Sequence, residues 1–294
     1  MKIAACLIVK DEANDIAEWI AFHATAGFDA FVVYDNGSSD GTAEVLRAAA
    51  RLFDIRLIDW PSSAGTAQMQ AYEHALRHFR TEFDWIAFID SDEFLVIHAP
   101  HTLQSLCATT DAAAIGINWA IFGSNGHRAI PGKTVIEAFT RRADQGFGPN
   151  HHVKSIVRPQ AAVHCLNPHA FSVDGRTVRP DGSAIAWRHA PDGPQTGLTA
   201  SAPDYAIAQI NHYFIRSRSH WVRKTRRGYP NPQSRAKLGL FDAYDRNEVE
   251  DLSALHHLAS VRTLRRGIIE AVRSARTHRR LAPQAPARML AITP

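Results

Sequence analysis

Three cysteines in 294 residues, at positions 6, 107 and 165, are too few and too scattered for a disulfide scaffold, and none stands in a CxxC spacing that would suggest a zinc ribbon. A reducing compartment is the expectation. No run of about 18 apolar residues occurs, so no transmembrane helix is expected. The apolar opening Met1–Val9 is too short for the core of a signal peptide and runs directly into Lys10-Asp11-Glu12. It reads as the first strand of a cytoplasmic protein. Glycine-rich phosphate loops are missing as well: the turn after that strand is Val9-Lys10-Asp11-Glu12-Ala13, neither GxGxxG nor GxxxxGK[ST]. Any phosphate bound there must be held by a metal and by cationic side chains. No internal repeat is present.

What remains is ordinary for a globular protein. A hydrophobic fraction of 45% with 21% charged residues allows a full core, in one large domain or a domain with an appendage. The net charge of +4 conceals an asymmetry. Residues 1–212 carry 16 Lys and Arg against 23 Asp and Glu, whereas residues 213–294 carry 17 against 6, so −7 and +11 combine to +4. The first part resembles an enzyme body whose acids need a cation. The second suits a negative surface, such as phospholipid head groups, an anionic acceptor or nucleic acid.

Strand and helix patterns alternate over the first 120 residues. Strands are expected at Lys2–Val9, Phe31–Tyr34, Ile55–Trp60, Trp85–Ile89 and Ala113–Trp119, with helices at Glu12–Ala26, Ala43–Leu52 and Thr66–Arg80. This alternation implies right-handed βαβ units and an α/β fold with a doubly wound, mostly parallel sheet. From about residue 120 to 205 the pattern breaks into loops and short strands (Ser155–Arg158, Ala184–Trp187), and Ile207–Ile215 reads as a late strand. Residues 251–281 form an arginine-rich helix pattern, and the Ala/Pro-rich tail from Ala282 is expected to fray. The division expected is a nucleotide-binding and catalytic unit over 1–215 and a basic, mainly helical region over 216–294.

The most informative segment is Asp90-Ser91-Asp92-Glu93-Phe94, which follows the five-residue apolar run Trp85–Ile89. Two carboxylates spaced i, i+2 at the mouth of a parallel sheet collect hard oxygen ligands where open α/β folds bind their ligands. That suits Mg²⁺ or Mn²⁺ carrying a substrate diphosphate. Lys10-Asp11-Glu12 and Asp35-Asn36 end neighbouring strands and must share the same crevice. The reading is a nucleotide whose base sits on Asp35 and whose diphosphate is bridged to Asp92.

Three segments, Ala4–Glu12 with Glu18-Trp19-Ile20-Ala21-Phe22-His23, then Val33–Thr42, then Asp90–Phe94, together resemble a GT-A glycosyltransferase of the family 2 type. The EWIxFH and DSDEF variants stand closer to the family 92-like branch. The likeness covers residues 1–125, with Asn211-His212-Tyr213 and Lys224 as later matches. It implies a GT-A-like sheet flanked by helices and an enzyme that moves a sugar from a nucleotide-sugar, preferably a UDP-sugar, to a glycan or lipid-linked acceptor. Asp35 would contact the uracil or ribose, Glu12 the nucleoside, Asp90 the ribose or metal, and Asp92 the Mn²⁺ or Mg²⁺ on the diphosphate. Lys10, Asn36 and Ser91 belong to the same donor-binding turns. A late histidine completes the metal shell in many such enzymes, and His212 is the candidate, with His169 second. Lys154, Lys224 and Arg227 are candidates for diphosphate contacts, and Asp174 or Asp192 for a catalytic base, although each aspartate also suits a turn beside Gly175 or Gly193. Glu93 would either orient a metal-bound water or the acceptor, or cap the turn. Trp119 would stack on a pyranose or fill the core, and Gln68 and Tyr72 would face the donor or pack.

Two other readings compete. A sugar-phosphate nucleotidyltransferase would need a basic, glycine-rich loop after the first strand, which Val9–Ala13 lacks. A non-catalytic protein acting through its basic helix would bind a membrane or, less in keeping with the pattern, nucleic acid, with steep salt dependence. Contact of that helix with the inner membrane face is part of the expectation.

Overall fold

The computed structural model describes residues 1–62, 65–129, 131–227 and 239–281, apart from the side chains of residues 227 and 278–281. The first elements are β1 (Ile3–Val9), α1 (Ile16–Ala26), β2 (Ala30–Asp35), α2 (Thr42–Ala49), β3 (Ile55–Asp59), α3 (Ala67–His78) and β4 (Trp85–Phe88). There follow β5 (Glu93–Ile97), α4 (Leu103–Ala108), β6 (Ala114–Ile121), α5 (Val135–Ala138), β7 (Arg141–Arg142) and β8 (Val153–Val157). Two hairpins, β9 (Ala162–Asn167) with β10 (Ala170–Val173) and β12 (Trp187–Ala190) with β13 (Gly193–Thr199), flank the short β11 (Thr177–Val178). The chain then forms β14 (Ala208–His212), α6 (Arg218–Arg227), α7 (Leu240–Tyr244), β15 (Val249–Glu250) and α8 (Leu258–Leu281).

The main sheet runs β3-β2-β1-β4-β8-β6-β14-β5. Strands β3, β2, β1 and β4 pair in parallel, β8 is antiparallel to both β4 and β6, and β14 is parallel to β6. The mostly parallel, doubly wound sheet expected from the alternation is therefore present. Burial on both faces follows from the two-residue period of a strand. In β1, Ile3, Ala5, Leu7 and Val9 join Trp19 and Ile20 of α1 in one core. Ala4 and Cys6 point the other way, toward Tyr72, Ala75 and Leu76 of α3. All three cysteines are buried and free.

Three expectations shift. The helix drawn from Glu12 starts at Ile16, because residues 10–15 form turns in which Asp11 adopts φ 53°. The arginine-rich helix starts at Leu258 after a 3-10 turn over Ser253–His257. Its apolar positions Val261 and Ile268 lie in the same core as α1, and no helix among the described residues is long and apolar enough to cross a membrane. Strand β5 was not anticipated. It begins inside the acidic segment, pairs antiparallel with β14, and sets His212 opposite Glu93. The tail from Ala282 lies outside the described residues.

Candidate active site

Every parallel strand of the β2-β1-β4 set delivers its polar turn to one edge. Val9 is in register with Asp35, and the Asn36 N–H donates to the Val9 carbonyl at 2.8 Å, which locks the first two turns together. The Asp35 carboxylate accepts the Ser38 N–H at 2.9 Å, and the Asn36 side chain accepts the Ser62 N–H at 2.8 Å. Glu12 donates its backbone N–H to Thr42 at 2.8 Å. A cleft of about 390 Å³ opens here between Asp11, Glu12, Asp15 and Asp40 on one side and His220, Arg223 and Lys224 of α6 on the other. Lys10 stands exposed at the rim, and Ser91 is half-buried in the next turn.

That next turn holds the acidic cluster. Asp90 has both carboxylate oxygens engaged: Oδ1 accepts from Gln68 at 2.7 Å and from Tyr72 at 3.0 Å, and Oδ2 faces the Lys154 ammonium at 3.1 Å. Asp90, expected among the metal ligands, has Gln68, Tyr72 and Lys154 as its partners. Gln68 and Tyr72 act through it. Asp92 Oδ2 meets Lys224 Nζ at 2.5 Å and lies 3.6 Å from His212 Nε2. Burial works against the charged form of Asp92, yet the Lys224 ammonium and His212 hold its carboxyl well below the usual range. Glu93 has no solvent exposure and caps the turn, accepting the Asp90 N–H at 2.8 Å. Burial pushes its carboxyl up to about 7, against the pull of Lys154 at 3.4 Å. Lys154 is 1% exposed; burial opposes its charge, but Asp90 and Glu93 keep its pKa above that of an ordinary lysine.

The donor set suits a divalent cation shared with substrate phosphates. Among the described residues no three His, Cys, Asp or Glu side chains converge on one metal position. Asp92 and His212 form a pair, and Mg²⁺-type ions are commonly held by one or two protein ligands, substrate phosphates and water. Among the described residues His212 Nδ1 is buried without a hydrogen-bond partner, 4.0 Å from Glu93 Oε1, which also has none among them. A carboxylate behind a ligating imidazole is the usual orienting partner. Trp119 closes the site beside them, packed against His152 at 4.6 Å, His169 at 5.0 Å and His212 at 4.3 Å between ring centroids. His169, the second candidate for the metal shell, stands in this wall with its Nδ1 bonded to the Val153 carbonyl at 3.0 Å. Asp174 is exposed next to Gly175, whose backbone abuts Ala113 at the start of β6, the end opposite Trp119. Asp192 is exposed at the tip of the β12–β13 hairpin. Neither side chain makes a hydrogen bond or ion pair to the acidic cluster among the described residues. The Arg227 side chain lies outside the described residues.

Two features escaped the sequence reading. Trp19 donates its indole N–H to the carbonyls of both Asp90 and Glu93, each at 2.9 Å, so the EWIxFH helix clamps the DSDEF turn. One turn further on, His23 Nε2 accepts the Leu95 N–H at 3.2 Å, and Phe22 packs edge-on against Phe94. The signal was present as two motifs quoted side by side; helical periodicity alone assigned Trp19 and His23 to the core. Arg216 is the other. It is 3% exposed at φ 51° and pairs with Asp15 at 2.8 Å, tying the start of α6 to the turn before α1. Nothing in its basic neighbourhood set it apart.

Comparison with known proteins places this geometry. A glycosyltransferase family 92 protein of Oryza sativa subsp. japonica is 31% identical over 176 residues, covering 58% of this chain and 28% of its own. One from Arabidopsis thaliana is 25% identical over 178 residues, covering 56% and 30%. The chain thus spans less than a third of the length of these curated relatives. Among solved structures, Staphylococcus aureus TarS 1-349 in complex with UDP has 17% identity and a TM-score of 0.36, covering 54% of this chain and 47% of its own. Glucosyl-3-phosphoglycerate synthase from Mycobacterium tuberculosis has 17% and 0.34, covering 65% and 73%. The model of glycosyltransferase family 92 matches residues 3–225, a span holding the clamp helix, the acidic turn, Lys154, His212 and Lys224, and the chain belongs to that family.

Proposed function

We propose that this chain is a metal-dependent glycosyltransferase that moves a sugar from a nucleoside diphosphate donor, a UDP-sugar by preference, to a hydroxyl of a glycan or lipid-linked acceptor. The observation that carries the reading is the pairing of Asp92 with His212, 3.6 Å apart, flanked by the Lys224 and Lys154 ammonium groups at the edge where Asp35 ends β2. Asp35 and Asn36 receive the nucleoside, with Lys10 and Glu12 at the neighbouring turn. Asp92 and His212 would hold Mn²⁺ or Mg²⁺, which when bound stabilises the negative charge that builds on the departing diphosphate.

The chain's own groups do the rest. Lys224 supplies a cation that exchanges Asp92 for phosphate oxygens when donor enters. Lys154 is fixed by Asp90 and Glu93, so its charge costs no reorganisation as the leaving group separates. Trp119 and the neutral imidazoles of His152 and His169, each with a pKa lowered chiefly by burial, form the wall against which the transferred sugar rests. Isothermal titration of UDP with and without Mn²⁺, followed by a hydrolysis screen over UDP- and GDP-sugars, tests the reading. Binding that tightens with the cation and release of a nucleoside diphosphate are expected. Release of sugar 1-phosphate, with the P–O–P bond broken in place of the bond to the sugar, would point to nucleotidyl transfer, and no cation-dependent binding of any nucleoside diphosphate would overturn the proposal.

A further inference from the structure

The α8 helix has two faces. Val261 and Ile268 are buried against the body of the protein, and Arg276 pairs with Glu44 of α2 at 2.8 Å. The flank adjoining that buried side carries Arg262, Arg265, Arg266, Ile269 and Arg273, spaced i, i+3, i+4, i+7 and i+11. It does not lie open as a flat stripe. With residues 132–134 as the facing wall it encloses a cleft of about 510 Å³ whose lining holds Lys133 and four arginines against Glu137 and Glu270. Glu137 is already engaged by Arg262 and Thr134. The Nε–H of Arg265 is buried and has no acceptor among the described residues. The cleft therefore concentrates cationic donors in a concave space of ligand size, with the Arg265 charge also acting on the buried Glu18.

We propose that this cleft is a binding site for a phosphate group, as a monoester or diester, separate from the acidic turn. Arginine forks grip carboxylate and phosphate alike, but a phosphate monoester, with three free oxygens and up to two negative charges, engages more of the four arginines and Lys133 than a two-oxygen carboxylate can. Concavity favours a compact head group over a nucleic-acid backbone, which would track an open stripe. The source of the phosphate is either a phospholipid head group or a soluble phosphate ester.

The test uses the whole chain with Arg266→Gln/Arg273→Gln, both exposed positions, and Arg47→Gln/Arg51→Gln as a control of equal charge change at exposed positions on and after α2. Co-sedimentation is measured on phosphatidylcholine vesicles with and without phosphatidylglycerol, and inorganic phosphate is titrated calorimetrically. Preferential retention on the anionic vesicles, lowered about thirtyfold in the cleft variant and much less in the control, supports a lipid head group. Saturable phosphate binding that the cleft variant loses, with no vesicle preference, supports a soluble ester. If neither probe binds, or the control loses as much as the cleft variant, the arginines are only a solvated face and the proposal is wrong.

Discussion

At Asp92 burial and charge pull in opposite directions, and the Lys224 contact at 2.5 Å decides the outcome in favour of the carboxylate. Asp92→Asn keeps the shape and removes the charge. Turnover of a nucleotide-sugar should fall about 10²–10³-fold, the size of losing one fixed electrostatic contact at a developing charge, while the circular dichroism spectrum stays unchanged. Retained turnover with the cation chelated would dismiss the metal role. Trp19 makes a different demand. Trp19→Phe keeps the aromatic volume but strips the N–H from two buried carbonyls, at about 1–3 kcal/mol in stability. Because those carbonyls belong to Asp90 and Glu93, kcat should drop by more than the donor KM changes. Steady-state kinetics beside a urea titration separates this from plain destabilisation.

The helix α1 is the element on which turn and core meet, and it carries a pH signature. His23 is fully buried, with Nε2 accepting the Leu95 N–H, so a proton there would face another N–H. Burial lowers its pKa from 6.5 to about 3. The stability this group contributes is complete above about pH 6.5 and is lost as pH falls toward the folded value, with a slope approaching about 1.4 kcal/mol per pH unit. Other buried histidines with lowered pKa values, His152 and His169 among them, add to the wild-type slope, so urea titrations from about pH 7 to about pH 5 should give a slope shallower by about that amount in His23→Phe, although the variant starts less stable. Elements of this kind were legible where one period runs uninterrupted: β1, β2, β4 and their helices follow directly from Ile3–Val9, Ala30–Asp35 and Trp85–Phe88. Strand β5 was not, since Glu93-Phe94 had been assigned to an acidic loop, and only its pairing with β14 makes it a strand. Asp92 and His212 could be named from motifs; that Asp90 would be occupied by Gln68, Tyr72 and Lys154 depends on contacts between residues far apart in the chain.

For the molecule as a whole, charge asymmetry and architecture point to the same division of labour, with an acidic sheet edge and a basic flank. The flank is also structural, because α8 packs its apolar side on α1 and α2 and shares their core. Ending the chain at residue 257 should remove Val261 and Ile268 and bare the apolar side chains of α1 and α2 that they cover, each buried side chain worth about 1.5–3 kcal/mol, and together these approach the whole stability of a domain. A truncated chain that still melts cooperatively at the wild-type temperature would show α8 to be an independent appendage. The partners of the acidic turn have a further consequence for biosynthesis. Lys224 stands 132 residues after Asp92, and Lys154 and His212 also follow it. The ribosome therefore releases the carboxylates before the groups that neutralise them, and the emerging polypeptide carries that negative knot uncompensated until Lys154, and for Asp92 until His212 and Lys224, have been translated.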